Sequence, residues 1–319
     1  MRKVTLGRTG SEVSAISLGT WSFGGASISG KVPVGWADQP EKHSASVLKR
    51  CWELGINHWD TADVYGNGKS ERIIGKSWLD IPRDDIFLAT KVGWDKGAYS
   101  HWYHPNHMKK NLERSLKNLQ TDYVNLIYFH HCNFGKNDEY LDDALEVILK
   151  FKSEGKALFI GLSDWSSKRI MKYIKRLNPD IIQPYRNVQD DDYASSGLKK
   201  HVELNNLGVC FFSPLKHGLL TGKYEFLPQF KSGDHRKNIP AFKSNDMIKK
   251  MKKNKILLEK HYSGQKNPVL HGVIGALYED SINACVLLGQ RNLNQVEVAG
   301  TLGETISKKD ADWIKSIYK

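Results

Sequence analysis

This sequence predicts a closed (β/α)8 barrel, a TIM barrel of the α/β class, and three observations carry that expectation. Eight short β-rich runs recur, at residues 14–20, 58–63, 87–92, 124–131, 159–165, 181–185, 208–214 and 284–290. Helical patterns separate them, so each strand reaches the next only through a crossover, which makes the sheet parallel. The length, 319 residues, suits a single barrel domain over residues 1–319, and eight parallel strands close on themselves and leave no edge. An open doubly wound sheet would place G-x-G-x-x-G after its first strand. Here that strand runs into Gly19-Thr20-Trp21-Ser22-Phe23-Gly24-Gly25, which lacks the spacing.

Ahead of the first barrel strand, residues 3–6 and 12–14 flank Gly7-Arg8-Thr9-Gly10. That tetrapeptide suits a small hairpin plugging the lower end of the barrel. Val47, Leu48, Cys51 and Trp52 share one helical face, as do Met108, Leu112, Leu116 and Leu119. The same spacing recurs at Leu141, Leu145 and Ile148, and at Ile170, Ile174 and Leu177. Residues 247–255 (MIKKMKKNK) place a basic face over apolar positions, and Ser307 with Asp310 opens a C-terminal helix carrying Trp313, Ile314 and Ile317. Residues 25–40 and 224–244 are rich in Gly, Pro and charge. Loops of that length in a compact fold are usually functional, which places both over the barrel mouth.

An apolar fraction of 40%, with nine Trp, thirteen Tyr and eleven Phe, supplies a substantial core and excludes a disordered chain. The formal charge of +12 attracts anions, but its lysines are spread along the chain and no nucleic-acid-binding signature accompanies them. No nucleic-acid partner is therefore expected. Cys51, Cys132, Cys210 and Cys285 lie far apart with no C-x-x-C pair, so neither a metal cluster nor a disulfide framework is expected. Neither a signal peptide nor an apolar run of about 18 residues is visible, and the protein is expected to be soluble and cytoplasmic. The sequence carries no signal for oligomeric state.

Active sites in such barrels lie at the C-terminal ends of the strands, so the polar residues ending the predicted strands carry the functional argument. Strand two ends in Asp60-Thr61-Ala62-Asp63-Val64-Tyr65-Gly66, strand three in Lys91 and strand four in His130-His131. An acid, a phenol, an ammonium and an imidazole converge on one rim. With LGTWSFGG, GINHWDTADVYGNGKSE, ATKVG, SLKNLQTDYVNLIYFHH, GLSDW, FSPLKHGLLTGKY and LGQRNLNQVE in this order, the sequence resembles the aldo-keto reductase family over nearly its whole length.

The resemblance implies a catalytic set of Asp60, Tyr65, Lys91 and His130, an NADP(H) cofactor in preference to NAD(H), a small-molecule carbonyl substrate, and no metal. Hydride addition to a carbonyl leaves an alkoxide that needs a proton, which Tyr65 would donate. Lys91 would bring the phenol pKa towards neutrality and Asp60 would hold Lys91 in place, while His130 would orient the carbonyl oxygen. His131 stands where the family usually has Trp and is expected to be a wall residue. Substrate walls are expected from Trp21, Trp94, Trp165 and residues 224–244.

The implied cofactor set begins with Gly19, Thr20 and Trp21 after the first strand, and with Asp60. Ser163 and Gln183 take the carboxamide positions, and Asp164 stands where the family usually has Asn, so an amide donor is lost. Phe212 takes the place of the stacking aromatic, followed by Ser213, Pro214, Leu215 and Gly218. Gly289, Gln290 and Arg291 follow the last strand, with Arg291 placed to grip a 2′-phosphate. Gln295 would reach the adenine, the family's frequent Asn falls at Ala299, and Lys223 and Arg236 are further anion contacts. The activity implied is NADP(H)-dependent reduction of an aldehyde or ketone, a sugar-type carbonyl among the options, to an alcohol by hydride transfer. The alternative is a cofactor-binding regulatory subunit or redox sensor with little turnover.

Overall fold

The structure, a computed structural model, describes residues 1–319 except Gly30 and Asp38, so those two positions of the expected loop 25–40 lie outside the described residues. Eight parallel strands form a closed barrel. They are β1 (Ile16–Gly19), β2 (His58–Asp60), β3 (Phe87–Val92), β4 (Val124–Phe129), β5 (Ala157–Asp164), β6 (Ile181–Pro184), β7 (Gly208–Phe211) and β8 (Cys285–Gly289). Each pairs with its sequence neighbours, and β8 closes on β1 through Val286↔Ile16 to Gly289↔Gly19. All six residues of β3 are buried. Helices cover the outer face and side chains fill the inner one, so such strands read as continuous apolar runs rather than alternations. The runs at 58–63, 124–131 and 208–214 end earlier as strands, at Asp60, Phe129 and Phe211. Their last residues already turn across the rim.

The N-terminal hairpin pairs Lys3–Thr5 with Glu12–Ser14. Gly7 sits at φ +49°, and a Cβ there would lie 2.4 Å from the backbone of Asn206 and Leu207, directly before β7. Only glycine permits that approach, and it seats the hairpin at the N-terminal end of the barrel.

The four expected helical faces lie on Glu41–Glu53, Pro105–Leu119, Leu141–Ser153 and Ser167–Leu177. The basic stretch forms the helix Asn245–His261, burying Ile248, Met251 and Leu258. The last helix, Lys308–Tyr318, begins where Ser307 Oγ accepts the Asp310 N–H at 3.1 Å. Pro268–Tyr278 gave no amphipathic signal because nearly all of it is buried. A Cβ at its Gly272 would come within 2.9 Å of Leu258 and 3.0 Å of Ile314, so this helix packs against both the basic helix and the last one.

Polar groups also fill part of the barrel interior. His58 Nδ1 lies 2.8 Å from Ser17 Oγ and 3.4 Å from Cys285 Sγ, and that thiol donates to the Val209 carbonyl at 3.5 Å. Among the described residues, His58, Cys210 and Cys285 form one set whose donor atoms lie within 4.8 Å of one another. Its members come from three strands, so no local spacing announces it. All four cysteines are free and buried. No helix of the described residues is long and apolar enough to cross a membrane.

Candidate active site

Barrel register sets out the rim. Gly289 is level with Gly19, Gly19 with Asp60, and Asp60 with Ala89, two residues before Lys91. After β2 the chain turns through Asp63, whose N–H donates to the Lys91 carbonyl at 3.2 Å, and Tyr65, whose N–H donates to Ala62 at 3.1 Å. Gly24 and Gly66 then meet so closely that a Cβ on either would fall 2.4–2.5 Å from the other's backbone. This contact lays Trp21 roughly parallel to the Tyr65 ring, centroids 6.0 Å apart.

Lys91 and Asp60 are 2% and 1% exposed at the side chain and form an ion pair. The ammonium also donates to the Thr61 carbonyl at 2.9 Å and to Tyr65 Oη at 3.5 Å. Gln183 Nε2 donates to the second Asp60 oxygen at 2.8 Å, and Ser163 Oγ donates to Gln183 Oε1 at 3.3 Å. One chain of hydrogen bonds thus joins two expected carboxamide-binding residues to the Asp60–Lys91–Tyr65 group. His130 stands edge-on to Tyr65, ring centroids 5.9 Å apart, and stacks on His131.

Burial pushes the Tyr65 phenol above its ordinary pKa even though the side chain keeps an edge at the surface, and Lys91 pulls the other way without prevailing. The expected lowering by Lys91 is thus outweighed by burial, with the Asp60 charge adding to the rise. Burial alone would lower Lys91, but Asp60 and Tyr65 reverse that and raise it, so the ammonium stays charged. Burial, then His131 and Lys91, hold His130 well below the usual histidine range. At neutral pH the rim therefore presents a protonated phenol, a neutral imidazole and a fixed cation. Such a set can donate a proton and hydrogen-bond a developing alkoxide.

The other expected residues take more varied places. Thr20 Oγ1 donates to the Asp60 carbonyl and accepts from Ser70, each at 2.8 Å, so its hydroxyl holds the rim together. Asp164 accepts the N–H of Cys132 at 2.9 Å and of Ser166 at 2.8 Å, so both oxygens clip loop backbone. Phe212 packs edge-on to Trp165 at 4.8 Å, and the turn from Ser213, at φ +56°, leads through Pro214 and Leu215 to Gly218. Gln290 points inward, accepting from Cys51 and donating to the Ser17 carbonyl. Arg291 donates to Gln39 Oε1 at 3.2 Å and to the Ala37 carbonyl, while Gln295 accepts the Arg291 N–H at 2.7 Å. Arg236 is held by both oxygens of Asp234, at 2.9 and 2.7 Å, and Ala299 is buried.

The two long segments join each other. Ser27 and Gly35 both donate to the Gly233 carbonyl, and the His235 N–H donates to Gly35 at 2.9 Å. They carry Trp36 and His235, which with His217 of the turn after β7 make three rings that sequence reasoning did not single out as site residues, all in contact with Trp21. No periodicity marks residues in irregular loops, so only their contacts reveal them.

Behind the rim, Asp63 is fully enclosed and neither carboxyl oxygen has a hydrogen-bonding partner among the described residues. Burial, with Glu71 adding and Arg114 opposing, pushes it up to about 8. An unfolded Asp titrates near pH 3.9, so between about 4 and 8 the folded state holds a proton the unfolded chain has released, and stability falls as pH rises. Asp63→Asn removes that slope. Its unfolding free energy should gain on the wild type from pH 4 to pH 8, by about 5 kcal/mol at most, read from denaturant midpoints at each pH. A gap independent of pH would show that Asp63 does not titrate in this way.

The family model described as Aldo/keto reductase family matches residues 15–319. The chain belongs to the aldo/keto reductase family. It is similar to L-galactose dehydrogenase of Arabidopsis thaliana, 32% identical over 221 residues that make up 68% of this chain, and it spans 66% of that relative, just under two thirds. It is also 28% identical to the aldo-keto reductase YhdN of Bacillus subtilis over 100% of this chain and 94% of the other. The glycerol dehydrogenase AKR11B4 of Gluconobacter oxydans shares the fold with a TM-score of 0.80 at 24% identity, covering 99% of this chain and 94% of its own.

Proposed function

We propose that this protein reduces an aldehyde or ketone with NADP(H), and that Tyr65 donates the proton. The buried Asp60–Lys91–Tyr65 chain with His130 edge-on to the phenol carries this reading. Residues present fit a phosphate-bearing dinucleotide. Burial, then the nearby Arg236 and Arg291, lowers the Lys223 pKa, so a bound anion would favour its charged form, while Arg236 is already paired with Asp234. Arg291 also lies over the Trp36 ring at 5.5 Å. Arg291 and Lys223 would hold the 2′-phosphate, Ser163 and Gln183 the carboxamide, and Phe212 the nicotinamide face.

When bound, the nicotinamide supplies the hydride. Tyr65 holds the proton at Oη, Lys91 sets the potential around it, and Asp60 and Gln183 keep Lys91 from moving. His130 directs a neutral imidazole at the carbonyl oxygen, and Trp21 with the joined loops shields the site from water. Four buried thiols fit a reducing cytoplasm. The hairpin and the last helix both pack on the barrel, and we read residues 1–319 as one domain.

Consumption of NADPH with 4-nitrobenzaldehyde tests the reading directly, since a sensor would bind NADPH and consume almost none. Arg291→Ala tests the cofactor assignment. Loss of a charge-assisted phosphate contact should weaken NADPH by about 1.5–3 kcal/mol, roughly 10-fold to 100-fold, and leave NADH nearly unchanged. Dissociation constants from tryptophan quenching at two salt concentrations decide it. Equal weakening of both cofactors would remove Arg291 from the 2′-phosphate site.

A further inference from the structure

We infer that His58, Cys210 and Cys285 form a metal site inside the barrel, built for a thiophilic divalent cation of the zinc class, with Ser17 at its fourth corner. Closure of the barrel brings the four together. Strands β7, β8, β1 and β2 are consecutive neighbours around it, and Cys210 is the register partner of Cys285 across β7 and β8. All four side chains are fully buried, and the imidazole and thiol donor atoms lie within 4.8 Å of one another.

The spacings suit one ion. Tetrahedral zinc bonds of about 2.0–2.3 Å set neighbouring ligand atoms roughly 3.3–3.8 Å apart. His58 Nδ1 lies 3.4 Å from Cys285 Sγ, inside that range. Ser17 Oγ lies 2.8 Å from the same nitrogen and 4.0 Å from Cys210 Sγ, a little short and a little long, so side-chain shifts of about 1 Å complete the tetrahedron. Phe87 stands edge-on to the imidazole at 5.2 Å and fixes its plane. The ring keeps Nδ1 towards the sulfurs although this leaves Nε2 buried without a hydrogen-bonding partner among the described residues.

Electrostatics selects the class of ion. A lone cation in a dry interior is costly, but two thiolates cancel the charge of a divalent ion, and imidazole and hydroxyl add none. Sulfur and imidazole nitrogen favour zinc over magnesium or calcium, which take oxygen ligands. The thiols give up little hydrogen bonding, since Cys285 donates to the Val209 carbonyl at 3.5 Å and Cys210 has Ser17 Oγ at 4.0 Å. Burial, with Cys285 adding, holds the Cys210 thiol well above its ordinary pKa, so it stays protonated until a cation displaces the proton. Binding forms two metal–sulfur bonds and releases two protons to solvent. Because the site is enclosed, the ion enters as the barrel folds and is then trapped. His58 lies two residues before Asp60 on β2, so the ion braces the floor beneath the rim and takes no part in proton or hydride transfer.

The test uses the full chain produced in cells supplied with zinc chloride or cobalt chloride and purified without chelator. Metal analysis should find about one zinc per chain, retained when the folded protein is washed with EDTA. The cobalt form should show thiolate-to-cobalt charge-transfer absorption. In reversible denaturation, free zinc at 100 times its dissociation constant should raise the folded-to-unfolded ratio about 100-fold over EDTA. Cys210→Val and Cys285→Val should carry no ion and lose that zinc dependence. Less than about a tenth of an equivalent in the wild type, or a cobalt form without charge-transfer absorption, would overturn the site. An ion kept by both valine variants would overturn it too, by placing the metal elsewhere. Should the variants fail to fold, the wild-type cobalt spectrum decides, because sulfur charge transfer reports the thiolates directly. None of these readouts involves turnover, so the outcome is independent of the reductase reading.

Discussion

Tyr65→Phe is expected to lower turnover about 10²–10⁴-fold, the size of effect associated with a general acid, while fold and cofactor affinity stay close to wild type. The substitution keeps the ring that lies over Trp21 at 6.0 Å and meets His130 edge-on at 5.9 Å. Lys91 loses its longest partner, at 3.5 Å, but keeps Asp60 and the Thr61 carbonyl, so no buried charge is orphaned. Chemistry and stability should therefore separate. Single-turnover rates, NADPH binding and thermal midpoints on the same sample show whether they do. A variant retaining more than about a third of wild-type turnover, where chemistry limits the rate, is incompatible with Tyr65 as the acid.

Lys91→Met should behave differently, because stability and activity fall together. Asp60, 1% exposed, would be left as a buried carboxylate supported by Gln183 Nε2 at 2.8 Å. Removing one partner of a buried pair costs about 3–5 kcal/mol. The phenol, already raised by burial, would lose the one nearby cation that lowers it and rise further. The double variant Lys91→Met/Asp60→Asn separates the two consequences. It should recover much of the denaturation midpoint and none of the turnover. A single variant as stable and active as wild type would remove the pair from both roles.

Much of the barrel is legible in the chain, because periodicity and strand-ending polar residues are local properties. The eight β-rich runs each overlap one barrel strand, and Asp60, Lys91 and His130 end up on one rim because parallel register places the ends of successive strands together. Pro268–Tyr278 was not legible: a helix enclosed by two others has no polar face to set its period. Motif resemblance likewise named Gln290, Arg236 and Asp164 by position and said nothing of direction. Gln290 turns inward to Cys51, Arg236 pairs with Asp234, and Asp164 binds loop backbone.

Two features were decided by tertiary structure alone. The Tyr65 phenol is raised rather than lowered, since enclosure disfavours phenolate more than a lysine already paired with Asp60 favours it. Desolvation belongs to the packed site and to no residue type. The pairing of His217 with His235 depends on two loops that exchange backbone hydrogen bonds, Ser27 and Gly35 with Gly233 and His235 with Gly35. Strand order and rim chemistry follow from patterns a few residues long, whereas the joined loops beside Trp21 come from contacts between segments roughly 200 positions apart, such as Gly35 with His235, for which a linear chain has no local signal.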